Sequence, residues 1–407
     1  MKKNIIFNKC LRKWKNRLIF KGIWLIFSLF FIATTISMFS IGTRRSYFTK
    51  NQNHARWIEN NGLKYLYLEA VNEFELGKLE GKFLSAQITN LKRILQVFGI
   101  LNCKYGFSYS DMISKAQKYE SFIPLEFIQE MQGISQVILG ISYEDVLLQN
   151  CFIDLLYGQY FPNATISSPN HENIEIGCTV VGYKTNESVL VGQNFDFNNI
   201  FKHTLVFVHH RVQGKRAQFG LKVGGILSLP CGTNSMGNSV FINVVKTFVK
   251  ASYYTPIAFR TRIAFDSADN IEEFLTYITS QPSTLSMNLM LANKSDIISL
   301  ELIPGNITIK QPNQAVNTNT YTNEFWQQYL QDKQYSKLRQ NVTEELLMNL
   351  TLDEVLSQSD FIEIMSNPLV VQSESGIMGV STLVCLSSCF FYKGIASFSN
   401  NCSPNPI

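Results

Sequence analysis

The chain has 407 residues, 45% hydrophobic and 16% charged, which excludes a disordered or polyacidic tail protein and is long enough to bury a substantial core. Its net charge of +5 would suit a polyanion, but Lys2, Lys3, Lys9, Arg12, Lys13, Lys15, Arg17 and Lys21 crowd into a leader with no acid before Glu59. Beyond that leader the chain is close to neutral, so no nucleic-acid partner is expected.

Behind the leader (1–22) comes Ile23–Gly42, twenty residues without a charge. At about 1.5 Å per residue this spans a hydrocarbon core of about 30 Å, a transmembrane helix through which the protein meets the membrane. Only Arg44, Arg45 and Lys50 follow closely, so the positive-inside rule puts the N-terminus in the cytosol, with 23–42 as a signal anchor. Small residues from Ser37 to Gly42 leave a cleaved signal peptide as the rival reading. Either way the body lies in the lumen or outside the cell: a single-pass protein of an endomembrane, a lysosome-like compartment or the cell surface. Sequons at Asn163, Asn186, Asn293, Asn306, Asn341 and Asn349 agree with a glycosylated body.

Residues 43–64 read as a polar stalk. From 65 to 177 the apolar spacing is that of helices broken at glycines, with a Ser-capped helix starting at Ser142 and a Pro, Ser and Asn-rich connector over 161–173. At Cys178 the texture changes. "CTVVGY", "SVLVGQNF", "TLVFVHHRV", "RAQFGLKV" and "SVFINVV" read as strands, followed by helices from about Pro256. "SMNLMLAN", "IISLELIPG" and "NITIKQ" return to strand, 324–360 is helical and polar, and "STLVCLSS" with "CFFYKGIASF" closes a hairpin. The region 178–400 is thus expected to be an α+β sheet sandwich with helical layers outside.

Eight cysteines are too few to build a fold of this size from disulfides, and no Cys or His cluster has zinc-ligand spacing, so no metal is expected. Cys178 stands apart. A cysteine at a strand start is ordinarily a buried small hydrophobe or half of a disulfide. All five histidines precede residue 211, and none carries a recognisable Asn or Asp companion. A nucleophilic Cys178 therefore needs another base. Cutting the chain ahead of it would supply one, its own α-amine, with a reference pKa of about 7.7 to 8.0. Gly177 fits such a cut, because a residue without a Cβ can adopt a strained conformation and lets the thiol approach its carbonyl.

"GCTVVGYKTNESVLVGQNFDF" resembles the N-terminal-nucleophile (Ntn) hydrolases of peptidase family C45, the acyl-coenzyme A:6-aminopenicillanate acyltransferase type, with Asp196 eighteen residues after Cys178 as that pattern requires. "EFIQEMQGISQVILGISYEDVLLQNCFIDLL" is similar to the family's helical propeptide, "GGILSLPCGTNSMGNSVFINVV" to its Gly-x-Asn-Ser-x-Gly turn, and "PIAFRTRIAFDSADNIEEFLTYI" to its helix pair. "NLMLANKSDIISLELIPG" and "TYTNEF" continue the likeness. The resemblance implies a four-layer αββα sandwich and autocatalytic scission between Gly177 and Cys178. It implies that Asp196 holds the new ammonium, that Asn194 lines the pocket and that Asn323 donates to the oxyanion. It further implies a small N-acyl amide substrate, water or an amine or acyl-CoA-like co-substrate, and no cofactor. Two departures stand out: Glu324 replaces the usual His, and "SESGIMGVSTLVCL" offers no match for an arginine that some members carry. Ceramidase-like or phospholipase B-like lipid hydrolysis on the same fold, or a non-catalytic luminal binding protein, are the alternatives.

Overall fold

The computed structural model describes residues 55–60, 62–163, 177–185, 188–331, 335–351, 357–371, 377–385 and 390–395. The basic leader, the uncharged segment 23–42 and the sequon at Asn186 lie outside them. Among the described residues no helix is long and apolar enough to cross a membrane.

The first finding departs from the expected stalk. Strands β1 (Ala55–Asn60) and β2 (Leu63–Ala70) form an antiparallel pair around Gly62, whose φ of 76° a side-chained residue rarely adopts. In "LKYLYLEA" Leu66, Leu68 and Ala70 are buried along one face, and Leu63 and Tyr65 are buried on the other. Five helices follow: α1 (Glu73–Phe83), α2 (Ser85–Asn102), α3 (Tyr109–Ala116), α4 (Leu125–Val137) and α5 (Tyr143–Leu155). Ser142 caps α5 as expected: its hydroxyl accepts from Asp145 N–H, and its own N–H donates to Asp145 Oδ2 at 2.8 Å. Gly140, with φ 81°, stands in the turn ahead of α5 as expected, but other glycines do not break their helices. Gly77 lies inside α1 and Gly133 inside α4, where a Cβ would come within 2.0 Å of Glu130 O and 2.2 Å of Phe74 O. They are where the two backbones touch.

The remaining strands are β3 (Gly177–Lys184), β4 (Val189–Asn198), β5 (Leu205–Val212), β6 (Gln218–Val223), β7 (Cys231–Asn234), β8 (Ser239–Val244), β9 (Met287–Ala292), β10 (Ile297–Ile303), β11 (Asn306–Lys310), β12 (Gln314–Asn317), β13 (Ile377–Cys385) and β14 (Phe390–Ile395). The helices are α6 (Ile257–Ser267), α7 (Ile271–Thr279), α8 (Tyr335–Thr351) and α9 (Gln358–Ser366). One sheet has nine strands, β1-β2-β5-β6-β7-β8-β9-β10-β11, and the other five, β12-β3-β4-β13-β14. They meet face to face: Gln193 Nε2 on β4 donates to Ile242 O on β8 at 2.8 Å. Val181, Tyr183, Leu190 and Val316 on the outer side of the smaller sheet pack with Leu347, Phe361, Ile364 and Met365 of α8 and α9. On the far side of the larger sheet, Asn150 of α5 donates to Gly225 O, and Arg262 of α6 to Leu227 O. The layer order is helix, sheet, sheet, helix, an α+β sandwich.

Charges are buried between the helices and the nine-stranded sheet. Lys222 and Glu80 pair at 2.6 Å with both side chains fully buried, and Arg262 reaches Glu130 at 3.0 Å. Lys215 pairs with Glu73 and with Glu126. In each of these pairs the acid precedes Gly177 and the base follows Cys178.

Burial pushes the Glu130 carboxyl up despite the pull of Arg262, and pushes Asp154 to about 6. Both then hold protons more readily folded than unfolded, so their contribution to stability is present in acid and lost as pH rises through the folded values. His210 opposes them. Burial, then the charges of Arg262 and Lys222, hold it well below its ordinary value, so the unfolded chain gains protons there as pH falls below about 6.5. Asp266, also raised by burial, and His209, also lowered by it, add one group to each side, so the sign is read as a difference: as pH falls from 8 to about 5, the Tm of His210→Gln should rise relative to wild type. A difference that stays flat over this range would count against the assignment.

Candidate active site

The β3–β4 hairpin sets the site. Its register places Gly177 opposite Asp196, Cys178 opposite Phe195 and Thr179 opposite Asn194. Gly177 is the first residue of β3 and is not among the glycines with positive φ. Strand pairing holds it opposite Asp196.

Cys178 is 1% exposed and carries a free thiol. Its backbone N–H donates to Asn319 Oδ1 at 2.6 Å, and its carbonyl accepts from Asn243 Nδ2 at 3.0 Å. Asn319 Oδ1 also accepts from the Arg339 guanidinium at 2.8 Å, while Asn319 Nδ2 donates to Val244 O at 2.7 Å. Two donors at one end and a carbonyl at the other leave that amide a single sensible orientation. Arg339 is itself buried, 3% exposed, at the start of α8. Asn243 Nδ2 is shared with Asn317 O, and Gln193 supports Asn243 from behind.

Burial pushes the Cys178 thiol up to about 12, and the negative charge of Asp196 adds to this. The Asp196 backbone N–H, the charge of Arg339 and Asn319 pull the other way. In the uncut chain the sulfur is therefore protonated at neutral pH and needs a base.

Asp196 is fully buried beside this group, opposite Gly177. Asn194 is equally buried, but its amide donates to Met365 O at 2.8 Å and so fixes α9 onto the hairpin. Asn323 lies elsewhere. Its Nδ2 donates to Thr308 Oγ1 at 3.1 Å, its Oδ1 accepts from Phe325 N–H, and its backbone N–H binds Glu301. The asparagines that meet Cys178 are Asn319, at its nitrogen, and Asn243, at its carbonyl. Glu324 is exposed. Asn243, Asn319 and Arg339 were not anticipated from the sequence. An arginine does reach this site, Arg339 from α8.

Among the described residues no group of three or more His, Cys, Asp or Glu side chains could hold a metal ion. Of the predicted glycosylation sites, Asn163, Asn306, Asn341 and Asn349 are exposed. Asn293 is half-buried, with its Oδ1 accepting from the backbone of Ser295 and Asp296.

The profile of the family described as acyl-coenzyme A:6-aminopenicillanic acid acyl-transferase matches residues 183–397, more than half of the chain. The chain belongs to this family. Members of this acyl-transferase family are amide-bond hydrolases and acyltransferases of the Ntn type, and this protein is an enzyme of that class. The matched span begins just after Cys178. No curated protein matches the sequence. Among solved structures the chain is similar to the Caenorhabditis elegans ortholog of N-acylethanolamine-hydrolyzing acid amidase (15% identity, 51% of this chain and 92% of the other, TM-score 0.40). It is also similar to a mutant of conjugated bile acid hydrolase from Clostridium perfringens (13%, 54% and 89%, 0.42). A third likeness is to penicillin V acylase from Agrobacterium tumefaciens (15%, 55% and 84%, 0.39).

Proposed function

We propose that this enzyme is an autoprocessed cysteine hydrolase or acyltransferase that cleaves a small N-acyl amide through a Cys178 thioester. The observation that carries the reading is the grip on the Cys178 nitrogen: Asn319 Oδ1 takes its N–H at 2.6 Å, with Arg339 on the same oxygen and Asp196 buried alongside. A structural cysteine needs none of this.

In the first reaction the Cys178 sulfur attacks the Gly177 carbonyl, and the thiol proton passes to the departing Cys178 nitrogen. Water then cleaves the resulting thioester, leaving a Gly177 carboxylate and a free Cys178 amine. In turnover that amine, held by Asn319 and Asp196, takes the thiol proton. The thiolate attacks the substrate carbonyl, and Arg339 is the cation that offsets the developing negative charge. The ammonium returns its proton to the leaving amine, and water or an acceptor amine then takes the acyl group from Cys178. An acyl-CoA-like donor would load the same thioester. The basic leader and the uncharged segment 23–42 support a membrane-anchored chain with this region on the non-cytosolic side.

Intact mass of the purified protein tests the reading. A chain beginning at Cys178 should be present, with glycan mass on the exposed sequons. A single uncut chain after incubation at mildly acidic and neutral pH would overturn the catalytic proposal, and bare polypeptide mass would overturn the topology.

A further inference from the structure

A polar row crosses the nine-stranded sheet. Asn243 on β8 lies opposite Asn288 on β9, Asn288 opposite Glu301 on β10, and Glu301 opposite Thr308 on β11. Directly opposed residues of antiparallel strands share a face, and this is the face from which Asn243 reaches the Cys178 carbonyl. Asn243, Asn288 and Glu301 are all buried, where a polar group without partners is costly.

Each member of the row takes up the next part of the segment 317–323. Asn243 Nδ2 donates to Asn317 O at 2.9 Å, and Asn288 Nδ2 donates to Thr318 O at 2.9 Å and to Thr320 O at 2.5 Å. Glu301 accepts from the N–H groups of Thr322 and Asn323, and Thr308 Oγ1 accepts from Asn323 Nδ2. The segment is laid across the sheet, with Asn323 as its far anchor. Asn288 holds the middle: its two carbonyls belong to the residues on either side of Asn319. Its own Oδ1 has no hydrogen-bond partner among the described residues, so an apolar side chain of similar size would avoid that cost. Thr318 in turn donates its hydroxyl to Ser336 O at 3.0 Å, in the first turn of α8, the helix that carries Arg339.

Resting on the reading of Cys178 as nucleophile, we propose that Asn288 is a positioning residue for the reaction, setting Asn319 against the Cys178 nitrogen by holding both flanking peptide carbonyls. It acts through Asn319. Without its two donors the Asn319 backbone is released, and a shift of about an ångström is enough to lose the 2.6 Å contact with Cys178.

The test is a double-mutant cycle on the rate of self-cleavage of the full chain, with Asn288→Leu, Asn319→Ala and the two together. Asn288→Leu should slow scission by roughly 10- to 100-fold. The double variant should stay within about twofold of Asn319→Ala alone, because Asn288 then has nothing left to place. A residue that merely supports the fold would multiply its loss with that of Asn319→Ala, and such a product overturns the role of Asn288. So does an Asn288→Leu chain that cuts itself at the wild-type rate. Asn288→Asp decides the matter if Asn288→Leu does not fold. The carboxylate it introduces cannot donate to either carbonyl, whereas the protonated carboxyl can, so scission relative to wild type should recover as pH falls from about 8 to about 5. A ratio that stays flat over that range overturns the role of Asn288 alone. A wild-type chain that stays uncut overturns the nucleophile reading, and this inference with it.

Discussion

Replacing Asn319 by alanine should slow both self-cleavage and amide turnover by on the order of 10²-fold, the cost typical of misplacing a reacting group by about an ångström. Asn319 Oδ1 is the acceptor for the Cys178 nitrogen at 2.6 Å and for Arg339 at 2.8 Å, so its loss frees the nucleophile and leaves a buried guanidinium short of a partner. The conservative change Asn319→Asp keeps an oxygen in place but adds a negative charge beside Asp196, which should hold the thiol protonated to higher pH. Asn323→Ala is the control. Its amide serves Thr308 and Phe325, so cleavage and turnover should stay within a few-fold of wild type. Time courses of chain scission, with uncut Cys178→Ala as the floor, give the comparison. Equal loss in both asparagine variants would remove Asn319 from its assigned place.

Lys222→Met should destabilise the fold by about 3–5 kcal/mol, because it strands the Glu80 carboxylate in the core. Both side chains are fully buried at 2.6 Å, and no water-exposed route lets Glu80 recover its hydration. The loss comes mostly from the orphaned charge, since pairing in the core roughly repays the desolvation of both ions. Glu80→Leu with Lys222→Met should therefore recover most of it. Denaturant unfolding in the Cys178→Ala background keeps the chain single and the transition unimolecular. A Lys222→Met protein within about 1 kcal/mol of its parent would show that the carboxylate finds another partner or a proton.

The hairpin carrying Cys178 and Asp196 was legible in the sequence because everything that defines it is local. Two apolar runs and a short polar turn fix the strand pairing, and the pairing fixes which residue faces Gly177. The rest of the site depends on strands that pair over long distances. β12 is four residues long in a polar stretch, and nothing in "QAVNTNTYTN" announces it. Its register is nonetheless decisive: Asn317 lies opposite Val180, so two residues further along Asn319 lies opposite Cys178. Reading the motif "TYTN" as a string selected Asn323, whereas the side chain at the Cys178 nitrogen is that of Asn319. Arg339 was hidden for another reason: it sits on a mostly polar helix, where a cation ordinarily faces solvent. Glu80 and Glu130 were disguised in the same way, as charges on helices whose glycines looked like breaks and are contact points. β1 was lost to the assumption that polar residues after an apolar anchor form a stalk, and most of β2 to the helical reading from 65 onward, although Asn60-Asn61-Gly62 between alternating runs is a hairpin signal.

β2 runs parallel to β5, from Tyr65 opposite Phe207 to Ala70 opposite Val212. A chain cut at Gly177–Cys178 would thus share one hydrogen-bonded sheet between two polypeptides, with Glu80, Glu130 and Glu73 on one and their basic partners on the other. Before the cut, those strands and charges find each other within a single molecule, at the high effective concentration of a tether. After it, full unfolding separates two molecules, and refolding becomes a second-order encounter that weakens on dilution. Scission would then make the fold's history matter: the enzyme assembles once as a precursor, and thereafter its lifetime is set by how slowly it opens.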